Sequence, residues 1–150
     1  MKNFKTIILG VILSFMIVCF GCSPAGVETG LVGTWTAYNE SFNVPGFGNE
    51  TAEITLIIYS GDTGSYASAY TGFTTTTITF GFKIIKGDSI YKTISIEYTS
   101  SKSSYLIGLK KTYTYSLTGN KLKIFGLEIW NDGAGNTVSK DATFIKTNLK

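Results

Sequence analysis

The chain has 150 residues and a formal net charge of +3; 43% are hydrophobic and 15% charged, a composition that can bury one core and excludes a disordered chain. All 13 basic residues are Lys and there is no His, which removes the usual general base, the His-activated Ser and Cys nucleophiles, and imidazole metal sites. Paired carboxylates, a Ser-Lys pair or a carboxylate-bound metal are the enzyme chemistries left, and the 10 acids are scattered with no pair singled out by spacing.

Residues 1–21 read as an export signal. Lys2 and Lys5 precede an apolar run from Ile7 to Phe20, broken only by Gly10 and Ser14, which is shorter than the ~20 residues a spanning helix needs. The segment Cys19-Phe20-Gly21-Cys22 resembles the lipobox of bacterial lipoproteins. That resemblance implies cleavage after Gly21, acylation of Cys22, palmitate among the expected chains, and a place in the bacterial cell envelope, on the periplasmic side of the outer membrane or at the surface. The membrane is then a partner through an anchor rather than a span. An ordinary secreted protein or an uncleaved anchor are the alternatives. Residues 22–30 follow as a tether, and residues 31–150 as one domain.

From Leu31 onward Thr, Tyr, Ile and Phe dominate, and Gly, Asn, Asp and Ser clusters recur as turn signals. Ile54, Leu56 and Ile58 alternate with more polar neighbours, as do Ile78, Phe80, Phe82 and Ile84. Ile90, Ile94, Ile96 and Tyr98 share one predicted face, and Tyr105, Ile107, Leu109, Tyr113 and Tyr115 share another. Ser60–Ser65, Lys86–Ser89 and Gly119-Asn120 read as breaks, the last as a two-residue hairpin turn. The reading is all-β: an antiparallel meander of about eight strands closed into a barrel. A β-sandwich is the alternative, and periodicity does not choose between them.

Leu31-Val32-Gly33-Thr34-Trp35 resembles the opening Leu-x-Gly-x-Trp of bacterial lipocalin-like domains. Tyr115–Ile124 and Ala142–Lys146 resemble the penultimate hairpin and last strand of the same domains. The resemblance implies a lipocalin-like barrel with Gly33 and Trp35 at one barrel end, the Trp plugging it. The run Thr74–Thr77 and the stretch Ser100–Ser104 match no motif.

Charge is polarised along the chain: Cys22 to Phe82 carries five acids and no Lys, whereas Lys83 to Lys150 carries 11 Lys and five acids, giving −5 and +6. The two halves attract across strand seams, or a basic face turns towards anionic lipid or polysaccharide. Nucleic acid is not an expected partner of an exported protein. Asp62 and Asp132 read as turn formers. Asn131–Asn136 lacks the late Glu of a calcium loop and reads as a flexible connection, so no metal or other cofactor is expected.

Strand alternation places Lys92 with Ile90, Ile94 and Ile96, and Lys111 with Ile107, Leu109, Tyr113 and Tyr115. Such lysines sit at a bulge or rim with their ammonium groups in water, or they reach into a lumen lined by Tyr113 and Tyr115 and pair with the head of an amphiphile. The leading expectation is therefore a non-enzymatic envelope protein that binds a small hydrophobic or amphiphilic ligand in a continuous internal cavity. The alternative is a structural or interaction module contacting protein or glycan.

Overall fold

The computed structural model describes residues 27–72, 77–101, 106–131 and 136–147. The signal, Cys22 and its lipid, the first part of the tether, Thr74–Thr76, Tyr105 and most of the Asn131–Asn136 connection lie outside the described residues.

A 3-10 turn, Thr29–Leu31, leads into eight strands: β1 (Gly33–Val44), β2 (Gly48–Ile58), β3 (Thr63–Thr71), β4 (Thr77–Asp88), β5 (Thr93–Ser101), β6 (Lys110–Thr118), β7 (Lys121–Asn131) and β8 (Thr137–Thr147). Each pairs antiparallel with the next, and β8 pairs with β1, so the meander closes into a barrel rather than stacking as a sandwich. Closure leaves no free sheet edge, the usual liability of a meander this rich in β-branched and aromatic residues.

The period of two decides what is inside. Ala52, Ile54, Leu56 and Ile58 of β2, Ile94, Ile96 and Tyr98 of β5, Tyr113 and Tyr115 of β6, and Ala142 and Phe144 of β8 are all buried. In β3 the pattern is inverted in chemistry: Tyr66, Ser68 and Tyr70 face inward while Ala67 and Ala69 face outward. Trp35, Phe144, Ile54, Leu122 and Ile129 are the large apolar side chains most completely removed from water. Fully burying each is worth about 1.5–3 kcal/mol.

The β6–β7 hairpin turns at Gly119-Asn120, with Gly119 at φ 58°, the left-handed backbone that Gly adopts at little cost. The seam between β1 and β8 is short, with register pairs only from Thr34 to Thr36 against Thr147 to Ile145. Beyond it β1 shifts register between Ala37 and Glu40, where Asn39 takes φ 54°. There the Lys140 ammonium spans the seam, 2.7 Å from Glu40 and 3.0 Å from the Ser41 carbonyl. In β7 a second irregularity follows Ile124, and the Gly126 N–H donates to the Asp141 carboxylate at 3.1 Å.

Two predicted strand starts move. β5 begins at Thr93 rather than Ile90: the Asp88 carboxylate accepts the N–H groups of Ile90 (3.0 Å) and Tyr91 (2.9 Å), and Lys92 takes φ 51°. That closes a turn and ends the alternation, so Ile90 lies 84% exposed. β6 begins at Lys110; Gly108 at φ 83° breaks the preceding segment, leaving Ile107 and Leu109 exposed.

Candidate functional site: a tyrosine-lined cavity under a strap

One end of the barrel is crossed by the incoming chain. Residues 27–31 do not hang free of the domain but dock on it. The Glu28 carboxylate accepts hydrogen bonds from Lys92 Nζ at 2.9 and 3.0 Å and from Tyr115 Oη at 2.7 Å. Val27 N–H reaches the Asp62 carboxylate at 3.4 Å, and the 3-10 turn then drives Leu31 into the interior, where it is 3% exposed. Trp35, wholly buried, donates its indole Nε1–H to the Leu31 carbonyl at 2.8 Å, tying plug and first strand together. The bond from Tyr115, reinforced by the Lys92 ammonium, holds Glu28 below the usual carboxylate range.

Gly33 sits beneath this turn at φ 141°, and a Cβ there would lie 2.7 Å from Lys146 Cε. The absent side chain makes room for Lys146, whose ammonium lies 5.1 Å from the Trp35 ring centroid and 3.3 Å from the Gly30 carbonyl. Gly33 and Trp35 are thus both at the strapped end.

Above Leu31 lies a cavity of about 40 Å³, walled by aliphatic and aromatic side chains that include Leu56, Ile96, Tyr66, Tyr98, Tyr113 and Tyr115. The barrel is filled rather than hollow, since a dry cavity of ~150 Å³ is what takes a benzene-sized guest. Away from the strap the cavity meets a band of aromatic rings. Tyr66 stacks on Phe80 at 4.5 Å, Phe80 meets Tyr98 edge-on at 4.8 Å, and the hydroxyls of Tyr98 and Tyr113 are 3.4 Å apart. The Tyr70 hydroxyl donates to the Ile129 carbonyl. Among the described residues the fully buried Tyr66 Oη and Ser68 Oγ find no hydrogen-bond partner of normal geometry, an uncommon state for buried polar atoms.

Burial pushes the phenols of Tyr66, Tyr70, Tyr98 and Tyr113 above their ordinary value of 10.0, and the Glu128 carboxylate adds to each shift. Tyr115 is raised too, by burial and then by its bond to Glu28. Glu128 pairs with Lys111 at 3.1 Å, and its side chain is only 14% exposed.

The four residues suggested for a ligand separate into two places. Lys111, Tyr113 and Tyr115 share the inner face of β6, with Tyr113 and Tyr115 on the cavity wall and Lys111 one step further from the strap. Lys92 leaves the inner face: the turn built by Asp88 carries it to the rim, where its ammonium pairs with Glu28 and lies 5.9 Å from the Tyr115 ring centroid. Of the ion pairs among the described residues, Glu28–Lys92 and Glu40–Lys140 join the acidic and basic halves of the chain, while Lys83–Glu97, Lys110–Glu97, Lys111–Glu128 and Lys123–Asp141 lie within the basic half.

Sequence reasoning missed Glu28, Glu128, Tyr66 and Ser68. Glu28 had no local signal, because its partners are 64 and 87 residues away. The alternation Tyr66-Ala67-Ser68-Ala69-Tyr70 did carry a signal for the other face, in that only one side of it is large enough to fill a barrel. Among the described residues no group of three or more Asp, Glu, Cys or His is placed to hold a metal ion. Comparison with protein-family models, with curated proteins and with solved structures finds no match.

Proposed function

We propose that the chain is a lipid-anchored protein of the bacterial envelope whose barrel binds a slender apolar or amphiphilic ligand and performs no catalysis. The observation that carries this reading is the cavity wall: carbon surface from Leu31 to Leu127, with the Tyr98 and Tyr113 hydroxyls and the Lys111–Glu128 pair on the side away from the strap. An apolar body with few polar groups at one end is the usual form of a small-molecule site. At about 40 Å³ the space takes the end of an alkyl chain as it stands. A longer guest needs the rings of Tyr66, Phe80 and Tyr98 to turn, and its anionic head then competes with Glu128 for Lys111.

The anchor rests on the sequence. The signal, Cys22 in its lipobox-like setting and the short run to Val27 bring the strapped end close to the membrane, since the five intervening steps reach roughly 16–18 Å at full extension.

Native mass spectrometry of the membrane-extracted chain tests both parts. The expected spectrum has the mass of a chain beginning at an acylated Cys22, plus a small molecule lost on collisional activation. An unacylated chain overturns the anchor, and an acylated chain that never carries a guest overturns the ligand. The second reading, a scaffold that contacts protein or glycan, is favoured by the small cavity volume, and co-purification of a stable partner with an empty barrel would establish it.

A further inference from the structure

The strapped end carries a surface that neither the cavity nor the anchor explains. The tip of the β4–β5 hairpin presents Ile90 and Tyr91 side by side, 84% and 75% exposed, and Tyr59 in the neighbouring β2–β3 connection is 50% exposed. These side chains are held out by built structure. Asp88 caps both Ile90 and Tyr91 N–H groups, Lys92 O accepts from Tyr115 N at 2.8 Å, and Ile84 N donates to Asp62 O at 2.7 Å, which locks the two hairpins together. An isoleucine held in water at the apex of a rigid turn forfeits burial for no gain in stability.

The charges around the tip are sorted. Of the acids at this end, Glu28 is paired with the Lys92 ammonium, while Asp62 and Asp88 keep their charge and accept backbone N–H groups, from Val27 and from Ile90 and Tyr91. Lys86 and Lys121, both at this end, form no ion pair among the described residues. Apolar and tyrosine tips flanked by long cationic stems are the side-chain set that suits a headgroup layer, where rings sit at the interface and ammonium groups reach anionic phosphate.

We infer that this end, with Ile90 and Tyr91 at its apex, is a docking surface for an anionic lipid bilayer. The chain itself indicates the occupant. The described residues begin at Val27 on this same face, only a few residues after Cys22, so an anchored barrel holds this end against the membrane. Phe47, 63% exposed, is on the β1–β2 connection at the opposite end and serves as the control. The inference rests on the anchor proposed above and adds an orientation: the barrel stands on its strapped end with the Ile90 hairpin in the headgroups.

The test places a tryptophan by Ile90→Trp or Phe47→Trp in the membrane-extracted full chain, reconstituted in vesicles of phosphatidylethanolamine and phosphatidylglycerol that carry brominated acyl chains. The signal of the unsubstituted protein, with Trp35 and Trp130, is subtracted. Ile90→Trp is expected to give blue-shifted emission quenched several-fold more than Phe47→Trp, and Lys86→Glu with Lys121→Glu is expected to weaken that quenching. Equal quenching at both positions, or none at position 90, overturns the orientation. A blue shift without bromine quenching replaces the bilayer with a second copy or another protein. The mass of the same sample keeps the two ideas apart: an acylated chain with no quenching at position 90 sinks the docking surface alone, and an unacylated chain that is still quenched there sinks the anchor alone.

Discussion

The two ends of this barrel are held by opposite chemistries. At the strapped end a charged carboxylate, Glu28, is the keystone, held by the buried Tyr115 phenol and by the Lys92 ammonium, which solvent reaches. Towards the other end most of the buried polar groups are neutral, the Tyr66, Tyr70, Tyr98 and Tyr113 phenols and Ser68, with the Lys111–Glu128 pair and the buried Glu50 carboxyl beside them. A contact that works by being ionised fails when its charge is removed, whereas phenols packed away from water fail when forced to acquire one.

Alkali strikes the tyrosine band hardest. The raised phenols hold their protons more tightly in the folded barrel than in the unfolded chain. Their contribution to stability is therefore complete below pH about 10 and lost as pH rises beyond it. Absorbance at the phenolate band is expected to rise late and in one cooperative step with loss of β circular dichroism; a gradual rise in a still-folded protein would show the band to be open to water.

The largest single-residue effect belongs to the strapped end. Trp35→Ala empties a fully buried site and frees the Leu31 carbonyl, at an expected cost of about 3–5 kcal/mol in urea unfolding. A loss below about 1 kcal/mol, the size of one ordinary hydrogen bond, would mean that the strap collapses to fill the space.

Lys111→Met is next, at about 1–3 kcal/mol, since it leaves Glu128 largely buried without its ammonium. The same substitution is expected to bring the cooperative phenolate step to lower pH, because a less stable barrel opens sooner in alkali; an unchanged midpoint would detach the Lys111–Glu128 pair from the tyrosine band.

Glu28→Gln is the smallest, about 0.5–1 kcal/mol, as befits a pair that solvent reaches. Its signature is local: hydrogen exchange is expected to quicken at Leu31 N–H and the Trp35 indole while Gly126 N–H is unaffected. Because the Glu28 pKa is depressed, acid mimics the substitution: the strap contact is present above the ordinary value of 4.5 and is lost as pH falls below it. If exchange quickened equally at both ends, the two would be one cooperative unit.

The ends also differ in how legible they were. The strand count, the antiparallel meander and the inward rows Ile54-Leu56-Ile58 and Ile94-Ile96-Tyr98 follow from alternation, because a strand with one buried face has only one register that works. Lys111 falls in the same row as Tyr113 and Tyr115, as alternation requires, with its side chain 37% exposed. For Lys92 alternation alone gives the inner face, and the rim, the first of the two places open to it, is where it lies, because the Asp88 carboxylate caps a turn there. The strap was illegible, since five residues with a single carboxylate look like a linker until their partners arrive from β6 and the β4–β5 turn. Closure into a barrel, which periodicity left open against a sandwich, depends on a seam of three register pairs.

That seam also sets an order of assembly. Every other strand pairing joins sequence neighbours and costs no more than a hairpin, whereas the Thr36–Thr147 contact spans 111 residues. Ordering the ends of so long a segment has to be met before the contacts across it form. The ring therefore closes late in folding, with a curled seven-hairpin ribbon ahead of it, and the pocket takes shape only as Trp35 and Phe144 are brought into one core. A nascent chain short of β8 holds most of its strand pairings and lacks the seam that closes the ring.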